Sequence, residues 1–213
     1  MVIYVGSKKT KFSLHENLLC HKSEYFKTAF RSSFKEAEEK TLSMPEDSVD
    51  AFEYLVNFLY APKFTLQAPE SEFMMGVYFE LYILSSKLCI DTLQNVVIDT
   101  ILRFFRACNF KSPYLRPAHV RFIYENTMPT SKMRDLVAQL TIFNGISGVH
   151  GIYGGSASSA WDGLLQTNAE LAFDILKIMR PWAPKATDLS ISFDTPCLFH
   201  VHTSQSTSLC RGT

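Results

Sequence analysis

The strongest hint of chemistry in this chain is Cys197, His200 and His202, a Cys-x-x-His-x-His cluster. Thiolate and imidazole suit zinc, which in structural sites takes four such ligands on a folded scaffold. Only three occur together here, with Cys210 a distant fourth, and the Ser/Thr-rich stretch around them lacks the apolar period of a scaffold. No metal site is expected. The glycine-rich run from Gly148 to Gly155 suggests a nucleotide loop, but no Gly-Lys-Ser/Thr follows it and no Gly-x-Gly-x-x-Gly is present. Entropy of a loop explains it better. For nucleophilic catalysis, no Gly-x-Ser-x-Gly elbow appears. His15 and His21 flank Cys20, yet residues six apart on a helix lie on roughly opposite faces and adjacent ones diverge. Cys20 reads as a small packed side chain. The carboxylate pairs Glu38-Glu39 and Glu46-Asp47 sit in charged turns where nothing would raise a pKa. No catalytic residue and no cofactor are expected, so the chain does not read as an enzyme.

The composition narrows the classes of partner the chain could meet. Lys+Arg and Asp+Glu number 21 each in 213 residues, so no bulk charge draws the chain to nucleic acid or to an acidic membrane. The five cysteines are scattered and never form Cys-x-x-Cys, which fits reduced thiols in the cytoplasm or nucleus. The opening Met1-Val2-Ile3-Tyr4-Val5 lacks the basic start of a signal peptide. No apolar run approaches the ~20 residues of a membrane span. The apolar fraction of 46% is that of a globular protein.

The elements follow from periodicity. Val2 to Val5 and Thr10 to Leu14 read as a hairpin turning at Gly6 to Lys9. From His15 the period changes to three and four: Leu18 and Leu19, then Tyr25, Phe26, Ala29 and Phe30, with Ser23 as N-cap of the second helix. After the charge-rich Lys35 to Lys40, Thr41 to Met44 alternates as a strand. A helix capped by Asp47 or Ser48 buries Phe52, Leu55, Val56 and Leu59 and ends at Ala61-Pro62. Glu70 to Leu88 carries a stripe of Phe73, Val77, Leu81, Leu84 and Leu88. Asp91 caps a helix with Leu93, Val97, Ile101, Phe104 and Phe105. Further helices start at Pro117, after Ser131 and at Asn168, the last ending before Pro181. Residues 144–163 hold six of the nine glycines and read as a flexible loop. The expected class is α+β, a small sheet flanked by helices and followed by an all-α extension.

The first strand pair ending in His15, the Ser23-Glu24-Tyr25-Phe26 helix, Phe34-Lys35-Glu36 and the Ala51-Phe52…Phe58-Leu59-Tyr60 helix together resemble the BTB/POZ domain, in detail its fungal type. The resemblance implies a protein-interaction module over residues 1–109 followed by a helical extension over 110–185, in which the glycine-rich loop 144–163 falls, while the Ser/Thr-rich composition after Ala186 reads as a disordered tail over 186–213. His15 matches the His of the family pattern, where its ring would fill a partly buried corner and satisfy a backbone group, while Glu16 replaces the usual Lys. Phe34 and Glu36 resemble the hydrophobic-x-Glu element by which BTB adaptors dock onto the ubiquitin-ligase scaffold cullin-3, an aromatic filling a shallow pocket and the carboxylate a rim contact. Tyr60 matches another position near that surface. The alternative is a scaffold or transcription-associated oligomerisation module without ligase contact. The swapped dimer of the zinc-finger regulators needs an N-terminal strand and helix, and this chain opens in the first core strand. A homo- or hetero-oligomer would use a helical face around Leu18, Leu19 and Phe26. Ser13 stands where those regulators carry the base of a corepressor pocket, so binding of that kind is not expected.

Overall fold

A computed structural model of the chain describes residues 1–31, 35–110, 112–143 and 156–182. By their contacts these residues separate into two compact units, Met1–Gln67 with Gly76–Val97, and Ala68–Met75 with the residues from Ile98 onward.

The first unit is built on three strands, β1 (Val2–Val5), β2 (Thr10–Ser13) and β3 (Thr41–Met44), in the order β2-β1-β3. The β1–β2 pair is the expected antiparallel hairpin, in the register Val2↔Ser13 to Val5↔Thr10. β3 returns parallel to β1, Val2↔Thr41 to Val5↔Met44, after the chain has passed through helices α1 (Glu16–Lys22), α2 (Glu24–Arg31) and α3 (Lys35–Glu39). Side-chain alternation divides the sheet as the pleat requires. Ile3, Val5, Leu42 and Met44 are buried on one face, and Lys11, Ser13 and Ser43 are exposed on the other. Gly6 makes the hairpin possible: its φ is +73°, and a Cβ there would lie 3.0 Å from Val49 Cγ2.

The helices form where apolar period and caps agree. Ser23 ends α1, its N–H bonding to Leu19 O, and begins α2, its hydroxyl accepting from Phe26 N at 3.2 Å. The same hydroxyl donates to Leu88 O at 2.6 Å, filling an orphan carbonyl at the end of α5 (Glu72–Lys87). Helix α4 (Val49–Tyr60) takes Ser48, not Asp47, as its cap, through a bond from Ala51 N. It buries Phe52, Leu55 and Leu59, while Val56 is only half-buried. Asp47 pairs instead with Lys87 at 2.6 Å.

Three expectations fail on burial or hydrogen bonding. Phe73 begins the expected stripe of α5 but is 70% exposed, and the first turn of the helix buries Met75 instead. Asp91 does not cap α6 (Asp91–Ala107), since Ile90 supplies the carbonyl for the first helical bonds, from Leu93 N and Gln94 N. Lys35 to Glu39, read only as a charge run, forms the short helix α3, with Lys35 and Glu39 paired at 3.4 Å.

The second unit is helical: α7 (Pro117–Asn126), α8 (Lys132–Thr141), α9 (Ser156–Thr167) and α10 (Ala169–Met179), with the 3-10 turn Arg180–Trp182 at the end. Pro117 is the first residue of α7, and Asn168 caps α10 by accepting from Leu171 N at 3.0 Å. Val120, Ile123, Leu136, Leu140, Trp161, Leu164, Leu171 and Ile175 make its core. Helix α9 takes residues 156–163 of the expected glycine-rich loop into regular structure, anchored by buried Trp161 and Leu164. Residues 144–155 and the tail from 183 onward, with Cys197, His200, His202 and Cys210, lie outside the described residues.

Candidate interaction surface

The surface centred on Tyr60 begins with two helix ends. His15 precedes the first residue of α1 with extended backbone (φ −81°, ψ 120°), and Tyr60 is the last residue of α4, which packs against α1. Tyr60 Oη lies 3.2 Å from His15 N and 2.7 Å from His15 Nδ1, the two rings meeting edge-on at 5.8 Å. The main-chain N–H can only donate, so Oη accepts it, while the direction of the Oη–Nδ1 bond follows the tautomer of His15. The expected bond from the His15 ring to a backbone group is therefore replaced by one to a phenol, and the ring is exposed rather than partly buried. The result is an aromatic side chain 45% exposed yet held by its hydroxyl.

Phe58, two residues back on α4 and so turned to another side of the helix, is half-buried, with Phe64 edge-on at 5.5 Å and Lys22 Nζ 5.8 Å above its ring. Glu16, at the position where a Lys was expected, pairs with Lys40 at 3.2 Å. Glu36, in α3, is half-buried and enters no ion pair among the described residues. No hydrogen bond or ring contact among the described residues joins Glu36 to Tyr60, and Phe34 lies outside those residues.

The helical face expected around Leu18, Leu19 and Phe26 does not survive folding. Leu19 and Phe26 are 0% exposed, Phe26 stacking on Phe30 at 5.8 Å, so both belong to the core and only Leu18 reaches solvent. An alternating apolar pattern cannot by itself separate a core contact from an interface contact, because both bury the same side chains. His15 with Tyr60 was not legible as a pair, since the two stand 45 residues apart.

The matching family model covers residues 1–102 and describes the BTB/POZ domain. Residues 1–102 form a BTB/POZ domain. The small sheet with its helices is thus the α+β BTB fold, followed by an all-α extension, and the BTB/POZ domain is a protein-interaction module. A comparison with curated proteins gave no match.

In the extension after the BTB/POZ domain, folding shifts the titration of His119 and Tyr124. Burial, opposed by the nearby Glu72 carboxylate, lowers the pKa of His119 below its ordinary value. Its Nδ1 accepts from Arg116 N at 3.4 Å, while Arg116 Nε donates to Glu72 at 2.8 Å. Burial and a hydrogen bond to Asp174 raise Tyr124, whose hydroxyl donates to that carboxylate at 2.8 Å. Arg134 is buried under this pair, its guanidinium 4.7 Å over the Tyr124 ring. It donates to Glu170, to the carbonyls of Tyr124 and Thr127, and to Thr127 Oγ1 at 3.1 Å. These bonds tie α7, α8 and α10 together and satisfy the last carbonyls of α7, a structural use of charge. Among the described residues no group of His, Cys, Asp and Glu could hold a metal, and no helix is long and apolar enough to cross a membrane.

Proposed function

We propose that the BTB/POZ domain docks onto cullin-3 and that the helical extension, residues 110–185, presents a target to the ligase. The observation that carries this reading is Tyr60, an aromatic 45% exposed whose hydroxyl is hydrogen-bonded to His15. An anchor already held in one geometry loses little freedom on binding. Glu36 supports the same reading, as a carboxylate not committed to an ion pair among the described residues. Phe34 enters through its place in the hydrophobic-x-Glu pattern. In such an adaptor the rate of modification rises through effective concentration rather than through chemistry in the adaptor itself. The site of action would be cytoplasm or nucleus.

The test is co-purification of the full chain with cullin-3. Phe34→Ala combined with Glu36→Ala, or Tyr60→Ala alone, should abolish capture while far-UV circular dichroism stays unchanged. A folded protein with no cullin-3 binding at tens of micromolar rejects the reading. The competing reading, an oligomerisation module without ligase contact, draws on the exposed apolar pair of α10, Phe173 (67%) and Leu176 (66%). Light scattering showing a stable homo-oligomer, lost in Phe173→Ser with Leu176→Ser, would favour it.

A further inference from the structure

The sheet of the BTB/POZ domain ends in an unpaired strand. Among the described residues, β2 has β1 on one side and no strand on the other. Met1 and Leu14 exchange both main-chain bonds, Leu14 N to Met1 O at 2.9 Å and Met1 N to Leu14 O at 3.0 Å. In an antiparallel ladder such pairs alternate, so Phe12 and Thr10 also bond inward to Ile3 and Val5. Lys11 and Ser13 therefore turn their N–H and C=O groups away from β1, and both residues are exposed.

Charge distinguishes this edge. Lys8, Lys9 and Lys11 stand on the hairpin within four residues, all exposed, and none makes an ion pair among the described residues. Four of the six other described lysines of the same unit do: Lys27, Lys35, Lys40 and Lys87 each hold a carboxylate, while Lys22 and Lys63 have no ion pair among the described residues. Two copies of β2 laid edge to edge would bring lysine against lysine, which discourages self-pairing. An extended segment carrying acids would reverse that sign. Its acidic side chains would lie opposite Lys11 on the open face of the sheet, and its alternate, apolar side chains beside half-buried Phe12.

We infer that β2 is a docking edge for an extended, acidic segment of a partner protein, which adds to the sheet as a fourth strand. The main-chain groups of Lys11 and Ser13 supply affinity, and Lys8, Lys9 and Lys11 supply selectivity. This edge ends at Ser13, two residues before His15, but its test uses no cullin-3 and does not depend on the cullin-3 reading.

The probe is the blocked peptide acetyl-(Glu-Val)3-amide, titrated into the full chain while amide exchange is followed by NMR. Binding should slow exchange of the Lys11 and Ser13 amides about tenfold or more. Lys8→Glu, Lys9→Glu and Lys11→Glu together should weaken the peptide by about tenfold and let acetyl-(Lys-Val)3-amide bind in its place. A second arm leaves the protein untouched: methylation of alternate peptide nitrogens should abolish binding. The inference is overturned if the peptide fails to bind at millimolar concentration. It is equally overturned if binding leaves Lys11 and Ser13 unprotected, if methylation makes no difference, or if the free chain already dimerises through this edge.

Discussion

Replacing Arg134 by Ala should be among the most damaging single changes in the helical extension, for a reason other than its ion pair with Glu170. Glu170 keeps 64% of its side chain in solvent, so losing its partner returns that carboxylate to water at a cost of about 0–1 kcal/mol. The buried carbonyl of Tyr124 has no such recourse and the part-buried one of Thr127 has less, since both lie at the end of α7 and take donors from Arg134. Each buried acceptor left unpaired costs about 1–3 kcal/mol, and loss of the contact with the Tyr124 ring adds about 0.5–2 kcal/mol. Because these losses overlap, a total of about 3–5 kcal/mol is expected. In thermal unfolding of the full chain that corresponds to a fall on the order of 10 °C. Two controls separate the causes. Glu170→Gln should cost no more than about 1 kcal/mol. Arg134→Lys should recover little, because one ammonium cannot serve two carbonyls, the Thr127 hydroxyl and Glu170 together. If Glu170→Gln proves as harmful as Arg134→Ala, or Arg134→Lys is neutral, the capping argument is wrong and the ion pair is what matters.

Ser23→Ala removes a hydroxyl bonded to both Phe26 N and Leu88 O, and should lower stability by about 2–3 kcal/mol in urea unfolding, more than a surface cap would. Gly6→Ala places a methyl 3.0 Å from Val49 Cγ2 at a φ of +73°, and should cost about 1–2 kcal/mol by the same measurement. His119 carries a pH signature. Its pKa is lowered in the folded chain, so the unfolded chain binds the proton more readily, and stability falls as pH drops below the ordinary value of 6.5. The stabilising effect of neutral His119 is complete above that pH. His119→Gln should flatten the decline between about pH 6.5 and 5 relative to the parent; equal slopes would show that another group controls it.

Much of the BTB/POZ domain was legible because local signals agreed with one another. The β-branched run of β1, the turn at Gly6, the cap at Ser23 and the spacing of Phe52, Leu55 and Leu59 each specify one element, and tertiary packing did not override them. What stayed hidden was long-range. Nothing near Ser23 announces that its hydroxyl also reaches Leu88, 65 residues on. Nothing near Arg134 announces that it closes the end of α7. The helix α9 was missed because glycines at 145–155 lent their loop character to the Ser/Ala stretch that follows. There Trp161 and Leu164, three residues apart and both buried, were the better signal.

The candidate surface was harder to read than the fold, and the reason is physical. Apolar periodicity records what water is excluded from, whether by the rest of the chain or by a partner. Leu19 and Phe26 follow the period and are core. Phe73, Phe173 and Leu176 are large and apolar, yet more than half exposed. Tyr60 shows why a pattern misses the difference, since its ring lies at a helix end where the period has run out. What sets it apart is the hydrogen bond between its hydroxyl and His15, which holds an exposed aromatic in one place. Residues built to meet a partner should therefore be sought where exposure and order coincide. Tyr60 meets that condition directly. The free edge of β2 meets it through its backbone, held in register by β1 on one side and open on the other.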